Sequence, residues 1–246
     1  MPKISLRTSL ALVLIAGLIG LNVYQFRKPP PQVSDATALL WLYDKYDGDL
    51  TTVWQNRWFG IETLQNPNDV WITQEIMWEV HPDFVIEAGT YKGGSAALWA
   101  TMLEQINPEG RVITIDIEDL AADAKKLPIV QRKVDFIVAS STDSATVADI
   151  AKRVKGKKVM MILDSAHTKE HVLKEIQLYS PLISVGSYLI VQDSNNNGHP
   201  NTPNYGPGPW EAIHAFMPTT KDFIIDKSRE RLLLTVSPDG FLNRIH

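Results

Sequence analysis

The sequence predicts an α/β, Rossmann-like fold, a mainly parallel seven-stranded sheet with helices on both faces. Three observations carry this reading. From Asp83 onward, short apolar runs alternate with helix-like segments, and repeated β–α units require parallel strands covered by helices. The first run, Phe84-Val85-Ile86, passes through Glu87-Ala88-Gly89-Thr90-Tyr91-Lys92-Gly93-Gly94-Ser95 into Ala96 to Leu103, so a strand, a glycine turn and a helix start follow one another directly. Finally, Glu87, Asp116, Ser140, Asp164 and Asp193 fall at or just past the C-terminal ends of successive runs. An open α/β sheet binds ligands beyond those ends, so the five residues are expected to line one crevice.

Taken in order, the chain begins with an appendage. Leu10 to Val23 is apolar except for Asn22, with Lys3 and Arg7 before it and Arg27-Lys28 after it. That length is at the short edge for a spanning helix. No small-x-small cleavage site follows, and Asn22 to Phe26 is bulky. Residues 1–28 are therefore expected to be an N-terminal transmembrane anchor, with a cleaved signal and a peripheral helix as competing readings. Basic residues flank both ends, which leaves orientation open. Residues 29–80 read as a spacer and N-terminal helices. Pro29-Pro30-Pro31 is stiff, Asp35 to Tyr46 is a helix with Ser34 as N-cap, and Asp69 to Val80 is a second helix. Trp54, Trp58, Phe59 and Gly60 lie between them in a loop-like stretch.

Residues 81–246 form the α/β domain. After Arg111 to Asp116, a helix is expected over Glu118 to Lys126. Val134 to Val138 is the third strand, followed by a helix to Lys155, and Val159 to Leu163 is the fourth. A helix over Thr168 to Tyr179 leads to the fifth strand, Tyr188 to Val191. A polar loop, Ser194 to Pro209, and a short helix, Trp210 to Phe216, precede two last strands. These are placed at Phe223 to Ile225 and Leu232 to Val236, as a hairpin-like edge.

Composition excludes several functions. The 246 residues are 44% hydrophobic and 21% charged, which suits a folded domain. A formal net charge of −4 argues against a nucleic-acid-binding surface. There is no cysteine, so disulfide, iron–sulfur and cysteine–zinc chemistry are excluded. A homo-oligomer is compatible with the sequence.

The glycine turn lets backbone approach a ligand, and the first N–H groups of the following helix can face it. Asp116 ends the second strand about twenty residues later, where such folds hold a ribose through a carboxylate. The competing reading makes it a cap. The turn carries an acid, one glycine and then a glycine pair, and it lacks the dinucleotide G-x-G-x-x-G pattern. It resembles the S-adenosylmethionine motif of class I methyltransferases more than an NAD fingerprint. The candidate cofactor-binding residues are Glu87, Gly89, Thr90, Tyr91, Gly93, Gly94, Ser95, Asp116, Ser140 and Ser141. Asp164 and Asp193 end neighbouring strands, and paired carboxylates suit a hard divalent cation such as magnesium. Gln192, Ser194 or Asn195 could add a neutral oxygen. The alternative leaves Asp164 to the cofactor and makes Asp193 a turn cap. His167, three residues past Asp164, reads equally as a general base, a helix cap or a ligand. His171 reads as structural and His199 as solvated.

A wider resemblance then emerges. Ile86 to Ala96, Leu163-Asp164-Ser165-Ala166-His167, Leu189 to Asn195, Asn197-Gly198-His199-Pro200 and Gly206 to Ala212 stand in order. Arg229 to Thr235 and Gly240-Phe241-Leu242 complete the series. Together they resemble the cephalosporin hydroxylase / rhamnosyl O-methyltransferase family from about Trp58 to the C-terminus. The resemblance implies a class I methyltransferase fold, S-adenosylmethionine as cofactor and a magnesium site through Asp164, Gln192 and Asp193. Where that pattern tends to carry glutamate, this chain has Gln192, which lowers the charge of the site. A true hydroxylase would need iron or another redox centre, whereas the motifs shared here are those of a methyl-donor site, so "hydroxylase" reads as inherited nomenclature. The activity implied is O-methyl transfer, with Asp164 and His167 as catalytic residues and a sugar, glycolipid or polysaccharide-precursor hydroxyl as acceptor. A small soluble metabolite and a non-catalytic cofactor-binding protein are the alternatives. The anchor would hold the domain beside lipid-linked acceptors, facing the cytoplasm, where S-adenosylmethionine is made.

Overall fold

Adjacent residues in the central strands point to opposite sides, and each side is apolar. Ile86, Ile113, Met161 and Leu189 belong to one buried cluster, while Val85, Val112, Met160 and Ile190 belong to another. A strand buried on both faces reads as a continuous apolar run rather than an alternating one, which is why these segments were legible. The computed structural model describes residues 34–48 and 55–246. The apolar stretch at Leu10 to Val23, the proline spacer and Trp54 lie outside the described residues, and with them the expected anchor. Among the described residues no helix is long and apolar enough to cross a membrane. The chain divides into two units, Met1–Ala38 and Leu39–His246, and the whole sheet belongs to the second.

The elements are α1 (Asp35–Gly48), β1 (Arg57–Trp58), β2 (Ile61–Glu62), α2 (Pro67–Val80), β3 (Phe84–Ala88), α3 (Gly94–Ile106), β4 (Arg111–Asp116) and α4 (Pro128–Lys133). They continue with β5 (Val134–Val138), α5 (Ser144–Arg153), β6 (Val159–Leu163), α6 (Lys169–Tyr179), β7 (Tyr188–Val191), α7 (Pro209–Phe216), β8 (Phe223–Ile225) and β9 (Phe241–Arg244). The main sheet runs β5-β4-β3-β6-β7-β9-β8. The first five of these are parallel, and β9 is antiparallel to both its neighbours. Seven strands, mainly parallel, agree with the sequence reading. Ile72, Ile76 and Met77 of α2 and Trp99 and Leu103 of α3 cover one face. Ile150 of α5, Ile176 of α6 and Ile213 of α7 cover the other. The chain order reverses between β3 and β6, and the crevice beyond their C-terminal ends is where such a sheet binds ligands.

Capping explains most helix starts. Asn66 accepts from the N–H groups of Asn68 and Asp69 ahead of Pro67, and Thr168 accepts from His171 N–H. Ser34 Oγ accepts from Thr37 N–H at 3.2 Å, as expected.

The structure corrects three elements. Leu232 to Val236 is not a strand, because side chains capture its backbone groups. Asn68 Nδ2 donates to the carbonyls of Leu232 and Leu234, and Asp69 accepts the Val236 N–H at 2.9 Å. Tyr43 Oη donates to the Thr235 carbonyl and accepts its N–H. Groups satisfied in this way have nothing left for a ladder, and the last strand forms at β9 instead. The helix expected over Glu118 to Lys126 shrinks to a single 3₁₀ turn, Ala124–Lys126. Pro128 holds Leu127 extended, and Lys125 and Lys126 are drawn to Asp119 and Asp123. Trp58, placed in a loop, opens a two-stranded hairpin with Ile61. Phe59 and Gly60 form its turn, both at positive φ, as the twist of a tight hairpin requires.

Candidate active site

At the reversal point lies a cavity of about 450 Å³, within the size range of small-molecule sites. One side is the turn after β3. Asp116, at the end of β4, accepts the N–H groups of Thr90 and Tyr91 at 2.9 and 2.8 Å on one carboxylate oxygen. Its other oxygen takes Glu118 N–H at 3.2 Å. The carboxylate therefore shapes the turn as well as facing the cavity. Gly89 sits at φ +99°, and a Cβ there would overlap the Asp164 carbonyl. The space it keeps free is claimed by the end of β6, so this glycine serves the packing of two strand ends and not the ligand volume alone. Gly94 is small for a comparable reason, since the Glu62 carbonyl and the Thr63 hydroxyl fill the place of a side chain.

Of the expected cofactor residues, Gly89, Thr90, Tyr91, Gly94, Ser95, Asp116, Ser140 and Ser141 line the cavity. Glu87 and Gly93 do not. Glu87 is 1% exposed, and its carboxylate accepts from Trp99 Nε1 at 2.8 Å and Thr114 Oγ1 at 2.6 Å. Burial pushes it up to about 7 despite those bonds. It anchors α3 to the sheet beneath the turn. Gly93, at φ +78°, faces Ala121 and Ala124.

The other side of the cavity holds the acids. One donor atom each from Asp164, His167 and Asp193 lies within 4.8 Å of the others, and His167 Nε2 is 3.1 Å from Asp193 Oδ2. Burial first, then the Asp193 and Glu87 charges, push Asp164 well above the ordinary carboxylate range. Burial also raises Asp193, with the neighbouring His167 working against the shift. Two half-buried carboxylates that resist ionising side by side, with an imidazole beside them, are a donor set that a divalent cation would relieve. The residues fit such an ion.

Gln192, expected to add a neutral oxygen to that set, is engaged by a second amide. It is 3% exposed and pairs with Gln65. Its Nε2 donates to Gln65 Oε1 at 2.6 Å, while its Oε1 accepts from Gln65 Nε2 at 3.0 Å. Gln65 Nε2 also donates to Asp164 Oδ2 at 2.9 Å. His167 is gathered with the two aspartates, and Gln192 is linked to Asp164 through Gln65.

Several site residues escaped the sequence reading. Glu62, Thr63 and Gln65 line the cavity from the segment before α2. His171, read as structural, also lines it. Glu175 lies buried behind, accepting from Ser141 Oγ at 2.5 Å and Ser165 Oγ at 2.7 Å, with His171 Nε2 at 3.2 Å. That carboxylate raises the His171 pKa. An i, i+4 His–Glu pair on α6 was the available signal. His199, read as solvated, is stacked on Trp210 at 3.9 Å, which in turn stacks on His214 at 3.7 Å. Glu211 ties the polar loop down, accepting from Gly208 N–H at 2.7 Å and Asn197 Nδ2 at 2.6 Å, with His199 Nε2 at 3.1 Å. Burial opposes its charge, but those bonds outweigh it and hold its pKa at about 2.

Comparison with known proteins agrees with this layout. The family described as Rhamnosyl O-methyltransferase/CmcI matches residues 51–245. A Rhamnosyl O-methyltransferase of Mycobacterium tuberculosis is 42% identical over 207 residues, covering 81% of this chain and 82% of that protein. One of Mycobacterium leprae is 37% identical over 210 residues, covering 83% and 87%. The solved structure of CmcI with Mg and SAM shares the fold at a TM-score of 0.60 and 18% identity, over 89% of this chain and 88% of that one. With a family match across nearly the whole sheet domain and relatives of this identity, the chain belongs to the Rhamnosyl O-methyltransferase/CmcI family.

Proposed function

We propose that this chain is an S-adenosylmethionine-dependent O-methyltransferase that methylates a sugar hydroxyl. The observation that carries the reading is a single cavity with two unlike walls. On one wall, Asp116 grips the turn after β3; on the other, Asp164, His167 and Asp193 converge. The first suits a nucleoside, because a strand-end carboxylate can accept both ribose hydroxyl protons. The second suits a hydroxyl that must lose its proton. The relatives' name, Rhamnosyl O-methyltransferase, supports a sugar as the carrier of that hydroxyl.

In this reading Asp116 and the turn residues Thr90 and Tyr91 hold the ribose side of the donor, and Ser140 and Ser141 border the far end of the cavity. The donor supplies an electrophilic methyl group on a sulfonium. A divalent cation held by Asp164 and Asp193 would supply Lewis acidity toward the acceptor oxygen. The Asp193 carboxylate lies 3.1 Å from His167 Nε2, where it would stabilise the imidazolium formed when His167 takes up a proton. The acceptor O–H bond breaks and its proton passes to His167. An oxygen–methyl bond forms as the sulfur–methyl bond breaks, giving the methyl ether and S-adenosylhomocysteine. Much of the rate would come from alignment, since the methyl group arrives already activated. The apolar stretch Leu10 to Val23 supports a tethered enzyme working beside lipid-linked sugars, and the use of S-adenosylmethionine, made in the cytoplasm, favours a catalytic domain on that side.

The test is transfer of labelled methyl from S-adenosylmethionine into lipid and glycan extracts of the host, with and without excess chelator. Label in a sugar methyl ether that disappears on chelation is expected. Label in neither extract, from a protein shown to bind the donor, would count against a sugar acceptor. Full activity in chelator would remove the cation.

A further inference from the structure

The segment between β2 and α2 crosses the rim of the cavity from one wall to the other. At its first end, Glu62 accepts from Tyr91 Oη at 2.9 Å and from Lys92 Nζ at 2.7 Å, so it is fastened to the glycine turn. In its middle, Glu62 and Thr63 occupy the space that a side chain at residue 94 would need. At its last end, Gln65 is 6% exposed and reaches the strand ends of β6 and β7. Its amide is fully used. Nε2 donates to Asp164 Oδ2 at 2.9 Å and to Gln192 Oε1 at 3.0 Å, and Oε1 accepts from Gln192 Nε2 at 2.6 Å.

A reciprocal amide pair is indifferent to a joint flip of both groups. The Asp164 carboxylate, ionised as a bound cation would make it, removes that freedom, because only a donor can face it. One carboxylate thus fixes two amides, and they in turn fix its orientation. A residue needed only to fill space would not require this pattern of donors and acceptor.

We propose that Gln65 is a positioning residue for the acid cluster. Its amide holds the Asp164 carboxylate in the direction needed for cation and acceptor, and it carries the Glu62–Gln65 segment from the donor wall onto that cluster. The inference rests on the reading of the cavity as a methyl-transfer site. Groups that orient metal-binding carboxylates from behind characteristically contribute ten- to hundredfold in metal affinity.

The experiment uses the full-length protein and two probes, S-adenosylhomocysteine by calorimetry and Mn2+ by electron paramagnetic resonance. Gln65→Met keeps the length and Gln65→Leu the bulk, and both remove the donor to Asp164 without adding a charge beside the cation site. Both variants are expected to bind S-adenosylhomocysteine within about twofold of wild type and to lose about ten- to hundredfold in Mn2+ affinity. The kcat should fall while the KM for the donor stays nearly constant. Unchanged Mn2+ affinity in both variants would overturn the positioning role while leaving the cavity's function standing. Parallel loss of both probes with a lowered Tm would assign Gln65 to packing and overturn it too. A wild-type protein that binds no S-adenosylhomocysteine would overturn the functional reading and this inference together.

Discussion

Gly89 lies directly against the Asp164 carbonyl, close enough that a Cβ on the glycine would overlap it. The turn after β3 and the residue that follows β6 are therefore one packed unit. Backbone bonds reinforce it, with Gly89 N–H donating to Ile115 O and Asp164 N–H donating to Ala88 O, each at 2.8 Å.

Gly89→Ala should therefore damage the fold as well as the site. Its φ of +99° is unfavourable for any side chain, and the clash with backbone cannot be relieved by a rotamer change. A loss of at least about 2 kcal/mol is expected. Gly156 provides the control, at φ +73° with nothing within 4 Å of the added atom, so Gly156→Ala should cost only about 1–2 kcal/mol of backbone strain. Chemical denaturation of both variants measures the contrast, and equal losses would mean that the Asp164 contact is easily accommodated.

Asp116 has two tasks that a pair of substitutions can separate. Asp116→Asn keeps an oxygen for the Thr90 and Tyr91 N–H groups but replaces the second acceptor, which takes Glu118 N–H at 3.2 Å, with a donor. Asp116→Ala removes both. If the free side of the carboxylate holds ribose hydroxyls, the alanine variant should lose roughly 1–3 kcal/mol of S-adenosylhomocysteine binding. The asparagine variant should lose most of that while its stability falls by less than that of the alanine variant, since only the Glu118 N–H bond is given up. Wild-type affinity in Asp116→Asn would leave the residue as a cap on the turn.

The sheet and half of this site were legible for a shared reason. A strand buried on both faces announces itself as an apolar run, and the polar residue that ends it must sit at the sheet's edge, so Asp116, Asp164 and Asp193 were found from local sequence alone. Gln65 was invisible because its partners lie 99 and 127 residues away and nothing about an isolated glutamine predicts a buried amide pair. Glu87 is buried behind the turn, bonded to the Trp99 indole; a strand-end acid next to a glycine turn looks the same in sequence whether it faces the cavity or the helix behind it. The final strand was misassigned because Leu232 to Val236 is more apolar than Phe241–Arg244, while Asn68, Asp69 and Tyr43 consume its backbone.

Two buried carboxylates outside the acid cluster give stability a pH dependence. Burial pushes Asp69 and Glu87 up to about 7 from ordinary values of 3.8 and 4.5. Each keeps its proton in the folded state after the unfolded chain has lost it. Their contribution is complete below the ordinary carboxylate range and is lost as pH rises through about 7. The carboxylates held low, Glu211 and Asp226, are ionised in both states above pH 5 and do not offset the trend. The Tm should fall by roughly 5 °C or more between pH 5 and pH 8, and Asp69→Asn should flatten the slope. A Tm that holds or climbs across that window would show that neither group titrates as described.

Gln192→Glu tests how the amide pair and the acid cluster share one space. The substitution keeps an acceptor for Gln65 Nε2 but removes the donor that Gln65 Oε1 now uses at 2.6 Å. It also sets a third carboxyl beside Asp164 and Asp193, both already raised by burial. Without a cation, the variant should be less stable than wild type by roughly 1–3 kcal/mol, the scale of a buried polar group left unpaired. With a divalent cation the sign should reverse, because a third anionic oxygen strengthens a hard-cation site. Magnesium should therefore raise the Tm of Gln192→Glu by more than it raises that of wild type, and the increment should vanish when Asp193→Ala is added. Thermal denaturation of the three proteins across a magnesium titration gives the answer. Equal increments in wild type and Gln192→Glu would place the cation, if it binds, out of reach of residue 192, and would leave His167 as the third group beside the two aspartates.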